Sequence, residues 1–400
     1  MSEPTLGLKQ NYRQFWLLVL VNAFVGAMVG LERSIFPSLA KEEFGLEATT
    51  AILSFIIVFG LTKAISNYYA GSLANSFGRK KVLLLGWLAA LPVPLILMYT
   101  HSWNGVILAN VFLGINQGLA WSSTVNMKID LVGPKRRGFA MGLNEFAGYI
   151  AVALVSYFTA EIALSHGLRP YPFYLGLGIS VLGLLMSVFF VRETQAFVQL
   201  EAESNNLARQ KNTFIETTFK NKNLSAITQA GMVNNLNDGM MWGLLPIYML
   251  SLSFDLGDIA WVSGIYPAIW GVCQLFTGAW GDKYSKKTLL FVGMMVQGIA
   301  IQVLSLSEGF VMLMVCAVLL GFGTAMVYPT FLSGIADYTH PLDRAKSIGV
   351  FRLWRDSGYA IGAIISSTVA TYFSASTAIS VVGGITVLSA LVIQFRMSKN

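Results

Sequence analysis

Twelve stretches of about 20 largely apolar residues follow one another along this 400-residue sequence, and about 20 residues is the length that a helix needs to cross a bilayer. The composition agrees, because 55% of the residues are hydrophobic and 12% are charged, whereas soluble domains carry about 25% charged residues. A β-barrel would show shorter segments of alternating polarity. The sequence therefore predicts an all-α membrane protein with twelve transmembrane helices. The predicted spans lie near residues 15–38, 50–74, 82–100, 104–127, 138–160, 172–191, 224–250, 259–280, 288–306, 309–335, 346–371 and 375–396.

A short basic loop occurs twice and divides the predicted spans into two similar sets. The first copy, Gly71–Lys81, has Asn75 ahead of a basic cluster, and the second copy, Gly278–Lys287, has Asp282 in that place. The first residues of the two copies are 207 positions apart, about half of the chain. Such a duplication indicates internal repeats, so we expect two pseudo-symmetric six-helix bundles.

The longest hydrophilic stretch, residues 192–223, is rich in Glu, Asn, Gln and Lys. A polar segment of this length between apolar spans is typical of a linker. We therefore predict an N-terminal bundle of residues 1–191, a cytoplasmic linker of residues 192–223 and a C-terminal bundle of residues 224–400.

Positive charge is distributed unevenly among the predicted loops. The predicted inner loops and tails hold most of the Lys and Arg residues, whereas the outer loops hold only Lys41 and Arg169. Because cytoplasmic loops are enriched in Lys and Arg, both termini are predicted to be cytoplasmic, with the chain spanning the cell membrane. The net charge of +7 then reflects this topology, and no nucleic-acid partner is expected.

No set of residues predicts catalysis or a bound cofactor. Cys273 and Cys316 fall inside predicted spans without metal-ligand spacing, and the three histidines lie in or near loops. The sequence also contains no Gly-x-x-x-x-Gly-Lys-Ser/Thr loop for a nucleotide. We expect a monomeric protein that is not an enzyme, holds no cofactor or metal, and binds a small-molecule substrate and protons.

Ionisable side chains inside the spans are functional candidates because charge in the hydrocarbon layer is costly. Lys63 lies near the centre of span 2, and Glu145 lies about two turns into span 5. Lys63 either locks two helices through an ion pair or contacts a substrate anion or a gate, and we favour the second role. Glu145 either stays paired with a base or loads and releases protons, and both alternatives remain open.

Uncharged polar residues accompany these charges. Asn22 in span 1, and Gln117 and Trp121 in span 4, either join helices by hydrogen bonds or line a pathway. In span 7, Asn234 and Asp238 are four residues apart on one helix face, within the most hydrophilic patch of any span. Such a patch is hard to reconcile with lipid contact, so we predict that it lines a cavity.

Span 11 has the densest group of charges. Arg352 and Asp356 are four residues apart and can pair along the helix, and Arg355 lies one turn before Tyr359. We expect Arg355 either to hold an anionic group or to pair with Asp356.

The duplication extends to the charged spans. Gly-Tyr pairs at 148–149 and 358–359 are 210 positions apart, close to the offset of the loop copies. Glu145 and Arg355 therefore take matching places in the two halves, with opposite charges.

The whole arrangement resembles the major facilitator superfamily. Gly71, Gly78, Arg79 and Lys80 match the signature loop of that family, whereas Asn75 replaces its usual Asp. The resemblance implies that this loop helps to latch the cytoplasmic side, and that Asn75 weakens a charged latch in the first half.

Two positions depart from the drug antiporters of that family. Gly114 stands where those exporters often carry Arg in span 4. In span 5, Gly148 is followed by Tyr149 instead of the usual Pro. The subfamily match is therefore weak.

The resemblance implies alternating access by two bundles around a site near the membrane midplane. We expect a secondary active transporter, with proton-coupled efflux of a drug-like or metabolite molecule as the first choice. The alternatives are proton-coupled uptake of an anionic metabolite and lipid flipping. Four acids and four bases inside the spans can neutralise one another, so the charge of the substrate stays open.

Three groups of residues are predicted to carry this function. The substrate pathway is assigned to Asn22, Lys63, Gln117, Trp121, Asn234, Arg355 and Tyr359. Proton coupling is assigned to the carboxylates of Glu145 and Asp238. Gating and ion pairing are assigned to Gly71, Asn75, Arg79, Asp130, Asp282, Arg352 and Asp356, with Asp130 expected to contact Arg79 or Arg137.

Overall fold

The computed structural model describes residues 4–33, 35–46 and 48–398, except for the side chains at 33, 37, 48–56 and 256. Within these ranges every regular element is helical. The α-helices, in chain order, are α1 (Tyr12–Arg33), α2 (Phe36–Phe44), α3 (Ala48–Phe77), α4 (Arg79–Ala90), α5 (Pro92–Tyr99), α6 (Trp103–Asn116), α7 (Ser122–Val132), α8 (Arg137–His166), α9 (Tyr171–Phe189), α10 (Gln195–Glu203), α11 (Thr213–Ile215), α12 (Lys222–Gly243), α13 (Leu245–Ser251), α14 (Leu256–Trp280), α15 (Lys286–Ser305), α16 (Phe310–Tyr338), α17 (Pro341–Tyr372) and α18 (Ala375–Arg396).

Nine helical segments of the described chain are long and apolar enough to cross a membrane. These segments are Tyr12–Glu32, Arg79–Tyr99, Trp103–Val132, Pro134–His166, Tyr171–Phe189, Gly257–Trp280, Lys286–Ser305, Phe310–Tyr338 and Ala375–Arg396. The other three predicted spans correspond to α3, to α12 with α13, and to α17. Within the described residues, helices form most of each predicted span, which confirms the predicted all-α fold class, although the span predicted at 15–38 is divided between α1 and α2.

Two predicted spans are divided by proline. The span predicted at 82–100 consists of α4 and α5, and Pro92 is the first residue of α5. The span predicted at 224–250 consists of α12 and α13, and Pro246 lies in the first turn of α13. Proline has no N–H group and favours the start of a helix over its interior, so each helix restarts at its proline.

Helices α1 and α8 cross at glycines that leave no room for side chains. A Cβ atom added to Gly26 would overlap the carbonyl oxygen of Gly148, and one added to Gly30 would lie 2.6 Å from the carbonyl oxygen of Val152. Gly26 and Gly30 form the Gly-x-x-x-Gly spacing that lets membrane helices approach closely.

Closely packed glycines also join α12 and α17. A Cβ atom on Gly358 would overlap the backbone of Met232, and one on Gly362 would overlap the carbonyl oxygen of Leu236. Gly358 and Gly362 again have the spacing of four residues. In each half the first and fifth spans therefore cross closely at glycines, which lie on the first span in unit 1 and on the fifth span in unit 2.

The chain divides into two compact units, here called unit 1 and unit 2. Unit 1 comprises the residues up to Lys135, Asn144–Asn206 and Pro341–Gly349. Unit 2 comprises Arg136–Leu143, Leu207–His340 and the residues from Val350 onward. The bundle limits derived from the sequence, at residues 191 and 224, stay a prediction.

The predicted linker is partly helical. Its first part contains α10, where Val198 and Glu201 are buried within unit 1. Its second part contains α11 and a π-helical turn at Glu216–Lys220 in unit 2. The hydrophilic composition of the linker therefore does not make it extended throughout.

Candidate functional site: two buried polar clusters

Trp121 and Glu145 form the centre of a buried polar cluster in unit 1, here called the Glu145 cluster. The indole Nε1 of Trp121 donates a hydrogen bond to Oε1 of Glu145 at 3.1 Å, and Nδ2 of Asn144 donates to the same oxygen at 2.8 Å. The side chain of Glu145 is fully buried. Its other oxygen, Oε2, has no hydrogen-bond partner in the described part of the chain.

Asn22 fixes this cluster to α1. Its Nδ2 donates to the carbonyl oxygen of Asn144 at 2.8 Å, and its Oδ1 accepts a hydrogen bond from Oγ1 of Thr124 at 2.7 Å. The side chain of Asn22 is fully buried. It therefore joins three helices, and its amide orients the turn that carries Glu145.

Lys63 is half-buried and lies close to aromatic rings. Its Nζ atom is 5.9 Å from the ring centroid of Trp121 and 5.6 Å from that of Phe59. Contacts of this length permit cation–π attraction. Trp121 therefore contacts both the carboxylate of Glu145 and the ammonium group of Lys63.

Gln117 and Trp121 begin and end a π-helical turn between α6 and α7. The Nε2 atom of Gln117 donates to the carbonyl oxygen of Val25 at 2.7 Å, so this amide joins two helices. Single π-helical turns within α-helices occur often at functional sites. The turn changes the register of span 4 immediately before Trp121, which periodicity in the sequence does not reveal.

Asp238 and Tyr266 form one end of a second cluster, in unit 2, here called the Asp238 cluster. The hydroxyl group of Tyr266 donates a hydrogen bond to Oδ1 of Asp238, and it lies 3.4 Å from Oγ1 of Thr324. Asp238, Tyr266 and Thr324 are all buried. The contact joins α12 to α14 and α16.

A chain of aromatic rings connects Tyr266 with Arg355. The ring of Tyr266 stacks on Trp270 at a centroid distance of 6.1 Å, and Trp270 lies 5.5 Å from the ring of Tyr328. Arg355 donates to the hydroxyl group of Tyr328, and its guanidinium carbon lies 5.0 Å from that ring. Arg355 also pairs with Oδ1 of Asp356, with Nη2 at 2.5 Å and Nε at 2.9 Å.

The remaining predicted residues of unit 2 lie near this chain. Asn234 is buried one turn before Asp238, and neither side-chain atom has a hydrogen-bond partner among the described residues. Tyr359 is half-buried, and its carbonyl oxygen lies against Gly239. Arg352 is buried one turn before Asp356, and the carboxylate of Asp356 accepts hydrogen bonds from Arg355.

Sequence reasoning missed Tyr266, Trp270 and Tyr328. Two of these residues belong to Tyr-Pro pairs inside long helices, since Pro267 lies within α14 and Pro329 within α16. A proline inside a helix removes a hydrogen bond from the carbonyl four residues earlier. The two Tyr-Pro pairs were therefore an available sequence signal of irregular backbone beside the site.

The carbonyl freed by Pro329 is satisfied within unit 2. Oγ1 of Thr277 donates to the carbonyl oxygen of Ala325 at 2.5 Å. Ala325 precedes Pro329 by four residues, so this hydroxyl group replaces the missing backbone donor and joins α14 to α16.

At its predicted cytoplasmic end, unit 1 contains a network of ion pairs. Arg79 pairs with Asp130 at 3.3 Å, and Oγ1 of Thr194 donates to the same carboxylate at 2.9 Å. The contact of Asp130 with Arg79 is one of the two that the sequence suggested. Asn75 donates from Nδ2 to the carbonyl oxygen of Leu342 at 2.9 Å.

Gly71 lies in close backbone contact with α17. A Cβ atom at this position would overlap the carbonyl oxygen of Ala345. Only glycine fits there without displacement of the neighbouring helix.

In unit 2, Asp282 caps the first turn of α8. Its carboxylate accepts hydrogen bonds from the backbone N–H groups of Gly138 at 2.7 Å and Phe139 at 2.9 Å. Burial raises the pKa of Asp282, although the two N–H donors and the nearby Lys286 oppose this effect. Arg137 pairs with Asp337 at 2.9 Å.

Among the described residues, no group of three or more His, Cys, Asp or Glu side chains could hold a metal ion. The ionisable side chains instead lie in clusters rich in amides, hydroxyl groups and aromatic rings.

Apolar helices of membrane length that enclose buried ionisable clusters are typical of multi-pass membrane proteins that move polar solutes or protons. The family model of the Major Facilitator Superfamily matches residues 15–234 and 227–399. The chain therefore belongs to the major facilitator superfamily, whose members are transporters and not enzymes.

Relatives of known name cover almost the full chain. The multidrug resistance protein MdtG of Salmonella typhimurium is 23% identical over 402 residues, which cover 98% of this chain and 96% of MdtG. MdtG of Salmonella typhi has the same identity and coverage.

Solved structures show the same fold at low sequence identity. The human organic anion transporter MFSD10 (TETRAN) has a TM-score of 0.75 and 15% identity, covering 96% of this chain and 99% of that structure. The proton:xylose symporter XylE bound to 6-bromo-6-deoxy-D-glucose has a TM-score of 0.72 and 14% identity, covering 97% of each chain. These similarities show the fold of twelve helices in two pseudo-symmetric six-helix bundles.

Proposed function

We propose that this transporter exports drug-like or metabolite molecules in exchange for protons, by alternating access. The similarity to MdtG, a protein named for multidrug resistance, supports export. The two buried polar clusters supply the ionisable groups that coupling to protons requires.

The observation that carries this proposal is the burial of Glu145. A carboxylate in a dry interior is costly when charged and much less costly when protonated. Trp121 and Asn144 both donate to Oε1, whereas Oε2 has no partner among the described residues. A proton on Oε2 would neutralise the group without breaking either hydrogen bond, and this geometry supports a proton-coupling role for Glu145.

Asp238 is the second proposed coupling group. It is buried, and Tyr266 donates to one of its oxygens. A proton that binds one conformation more tightly than the other shifts the equilibrium between them. Protonation of these carboxylates would favour the state in which they are dry, and substrate would exchange against protons in the wet state.

The gating role remains part of this proposal. The glycine contact of Gly71 and the hydrogen bonds of Asn75 and Asp282 would form and break at the predicted cytoplasmic ends of the helices. The ion pair of Arg79 with Asp130 would hold the loop after span 2 in place. We also propose that both termini are cytoplasmic and that the transporter is a monomer.

Transport into proteoliposomes with an imposed pH gradient, over a panel of solutes, tests the coupling. Glu145→Gln and Asp238→Asn are expected to abolish uphill movement while downhill exchange continues. Glu161→Gln is the matched control, because Glu161 lies on the same helix as Glu145 but is exposed. If both variants at Glu145 and Asp238 keep uphill transport and the parent's pH response, the coupling assignment is wrong.

Uptake of an anionic metabolite is the second candidate, and the position of Lys63 favours it. Its ammonium group lies beside the aromatic rings of Trp121 and Phe59, where it could hold an anion. Lys63→Ala is then expected to weaken binding of an anionic substrate. Unchanged affinity for that substrate would reject this candidate.

A further inference from the structure

Two buried amide side chains in unit 2, those of Asn234 and Gln274, have unused hydrogen-bonding groups. Both side chains are at least 99% buried. Neither the nitrogen nor the oxygen of either amide has a hydrogen-bond partner in the described ranges. Buried polar groups in native proteins are nearly always hydrogen-bonded, and each unpaired one costs free energy. Two wholly unpaired amides in one unit therefore require an explanation.

Both amides lie on the helices that form the Asp238 cluster. Asn234 precedes Asp238 by four residues on α12, and Gln274 follows Tyr266 by eight residues on α14. The hydrogen bond between Tyr266 and Asp238 joins the two helices. At a rise of about 1.5 Å per residue, Asn234 lies about 6 Å and Gln274 about 12 Å from that contact along the helix axes.

Along the chain, both amides lie on the side of this contact that is farther from α13. Since α12 with α13 and α14 are consecutive predicted spans, the chain is expected to turn back after α13. A step from Asp238 to Asn234 and a step from Tyr266 to Gln274 therefore both lead away from the connection. Trp270 lies midway between Tyr266 and Gln274 on the same face of α14.

The aromatic chain includes Trp270, which lies one helical turn from Gln274 on α14. Tyr266 and Trp270 stack with an interplanar angle of 27°, and Tyr328 follows at 5.5 Å from Trp270. Stacked rings of this kind favour a flat apolar group on the ligand. Ligand pockets commonly combine aromatic walls with a few polar groups that fix orientation.

The charges of the cluster are already engaged. Asp356 neutralises Arg355 in a buried ion pair at 2.5 Å, and Tyr266 donates to Asp238. An anion would have to compete with Asp356 for the guanidinium group. A cation would have to compete with the coupling proton for Asp238. The amides offer both donors and acceptors, so they can bind an uncharged group without displacing Asp356 from Arg355 or a proton from Asp238.

We propose that Asn234 and Gln274 form a recognition subsite for uncharged, flat aromatic solutes that carry an amide or hydroxyl group. This inference rests on the proposed transport function and names the class of substrate that unit 2 selects. Trp270 would stack on the ring of the solute, and the two amides would pair with its polar group.

Equilibrium binding to the purified full-length protein tests the subsite. The probes are 2-naphthamide, 2-naphthoate and 2-naphthylmethylammonium, which share one ring system and differ in charge. Calorimetric titration at pH 7, with heats from micelles alone subtracted, gives a Kd for each. The parent protein is expected to bind the amide at least about tenfold more tightly than either ion, the factor that corresponds to about 1.4 kcal/mol.

Substitutions then assign that preference to the two amides. Asn234→Leu and Gln274→Leu are each expected to raise the Kd for the amide about tenfold, while changing the Kd for the ions less than about threefold. Gln302→Met is the matched control, because the Gln302 amide is paired with Ser380 through hydrogen bonds of 2.7 and 2.8 Å. This control should leave every Kd unchanged.

A further variant separates loss of recognition from loss of folding. Asn234→Asp has nearly the same shape but adds negative charge, and it is expected to shift preference from the amide to the ammonium probe. The proposal is overturned if the parent binds no amide saturably or prefers an ion. It is also overturned if both Leu variants keep the parent affinity, as expected if only water pairs with these amides, or if Gln302→Met lowers it equally.

This test does not depend on proton coupling. The titrations use no pH gradient, so an uncoupled transporter could still show the preference for the amide. Conversely, loss of this preference would leave the gradient-driven transport result intact.

Discussion

The indole Nε1 of Trp121 donates a hydrogen bond to Oε1 of Glu145 at 3.1 Å. In unit 2, Tyr328 lies 207 positions after Trp121 and Arg355 lies 210 positions after Glu145, which are the two offsets of the sequence repeat. Arg355 donates to the hydroxyl group of Tyr328. Each half thus pairs an aromatic residue of its fourth span with an ionisable residue of its fifth span. The charge differs between the halves, because this place holds the carboxylate of Glu145 in unit 1 and the guanidinium group of Arg355 in unit 2.

Trp121→Phe should impair coupling more than folding. The substitution keeps an aromatic ring but removes the donor to Glu145, which costs about 1–3 kcal/mol when the acceptor is charged. A loss of about 1.4 kcal/mol corresponds to a tenfold lower rate of gradient-driven transport. Initial rates in proteoliposomes measure this effect. Trp16→Phe, on an exposed residue, serves as the control, and equal rates for the two variants would contradict the role of the hydrogen bond.

Gly26→Ala should destabilise the protein because a Cβ atom at this position would overlap the backbone of Gly148. Overpacking of this kind costs about 1–3 kcal/mol. Gly264→Ala is the opposite case, since nothing lies within 4 Å of a Cβ at Gly264, and alanine in a helix is about 0.5–1 kcal/mol more stable than glycine. Melting temperatures in detergent should fall for Gly26→Ala and rise for Gly264→Ala. A rise for both would contradict the close crossing of α1 and α8.

Arg355 and Asp356 should show strong coupling in a double-mutant cycle. Removing one partner of a buried ion pair costs about 3–5 kcal/mol, because the other charge is left unpaired. Arg355→Gln and Asp356→Asn are each expected to lower the free energy of unfolding. The double variant should lose clearly less than the sum of the two losses. Additive losses would show that the two side chains do not act as a pair.

Asp282→Asn should change how stability depends on pH. Burial raises the pKa of Asp282 in the folded protein, whereas an unfolded Asp has a pKa of about 3.9. Because the folded protein holds this proton more tightly, protonation of Asp282 stabilises the fold. The stabilisation is complete below the pKa of the unfolded state and is lost as the pH rises through the pKa of the folded state. The stability of the parent relative to Asp282→Asn should therefore decrease from pH 4 to pH 7. Melting temperatures of both proteins across this range provide the measurement. An advantage of the parent over Asp282→Asn that grows with pH would contradict the prediction.

Hydropathy and the repeated loop were enough to predict the twelve spans, the two halves and the charged candidates. The cost of burying charge is so large that ionisable residues in spans are conspicuous in the sequence. Tyr266, Trp270 and Tyr328 were missed because aromatic residues are also common on lipid-facing surfaces. Their local sequence does not indicate whether these side chains face lipid or the interior of the bundle.

The partners of the candidates were harder to predict than the candidates themselves. The sequence left two partners open for Asp356, Arg352 one turn earlier and the adjacent Arg355, and the structure shows the contact with Arg355. Side-chain direction depends on the surrounding helices, and here Tyr328 on α16 accepts from Arg355. The π-helical turn from Gln117 to Trp121 likewise left no pattern in the sequence from which it could be predicted.

Proton release on substrate binding tests the central claim, that Glu145 and Asp238 exchange protons for substrate. Purified protein in weakly buffered detergent solution, with a pH indicator, would receive a compound that it transports. The parent is expected to release protons as the compound binds, and Glu145→Gln combined with Asp238→Asn should abolish that release while binding persists. Release at the parent level from the double variant would contradict the account.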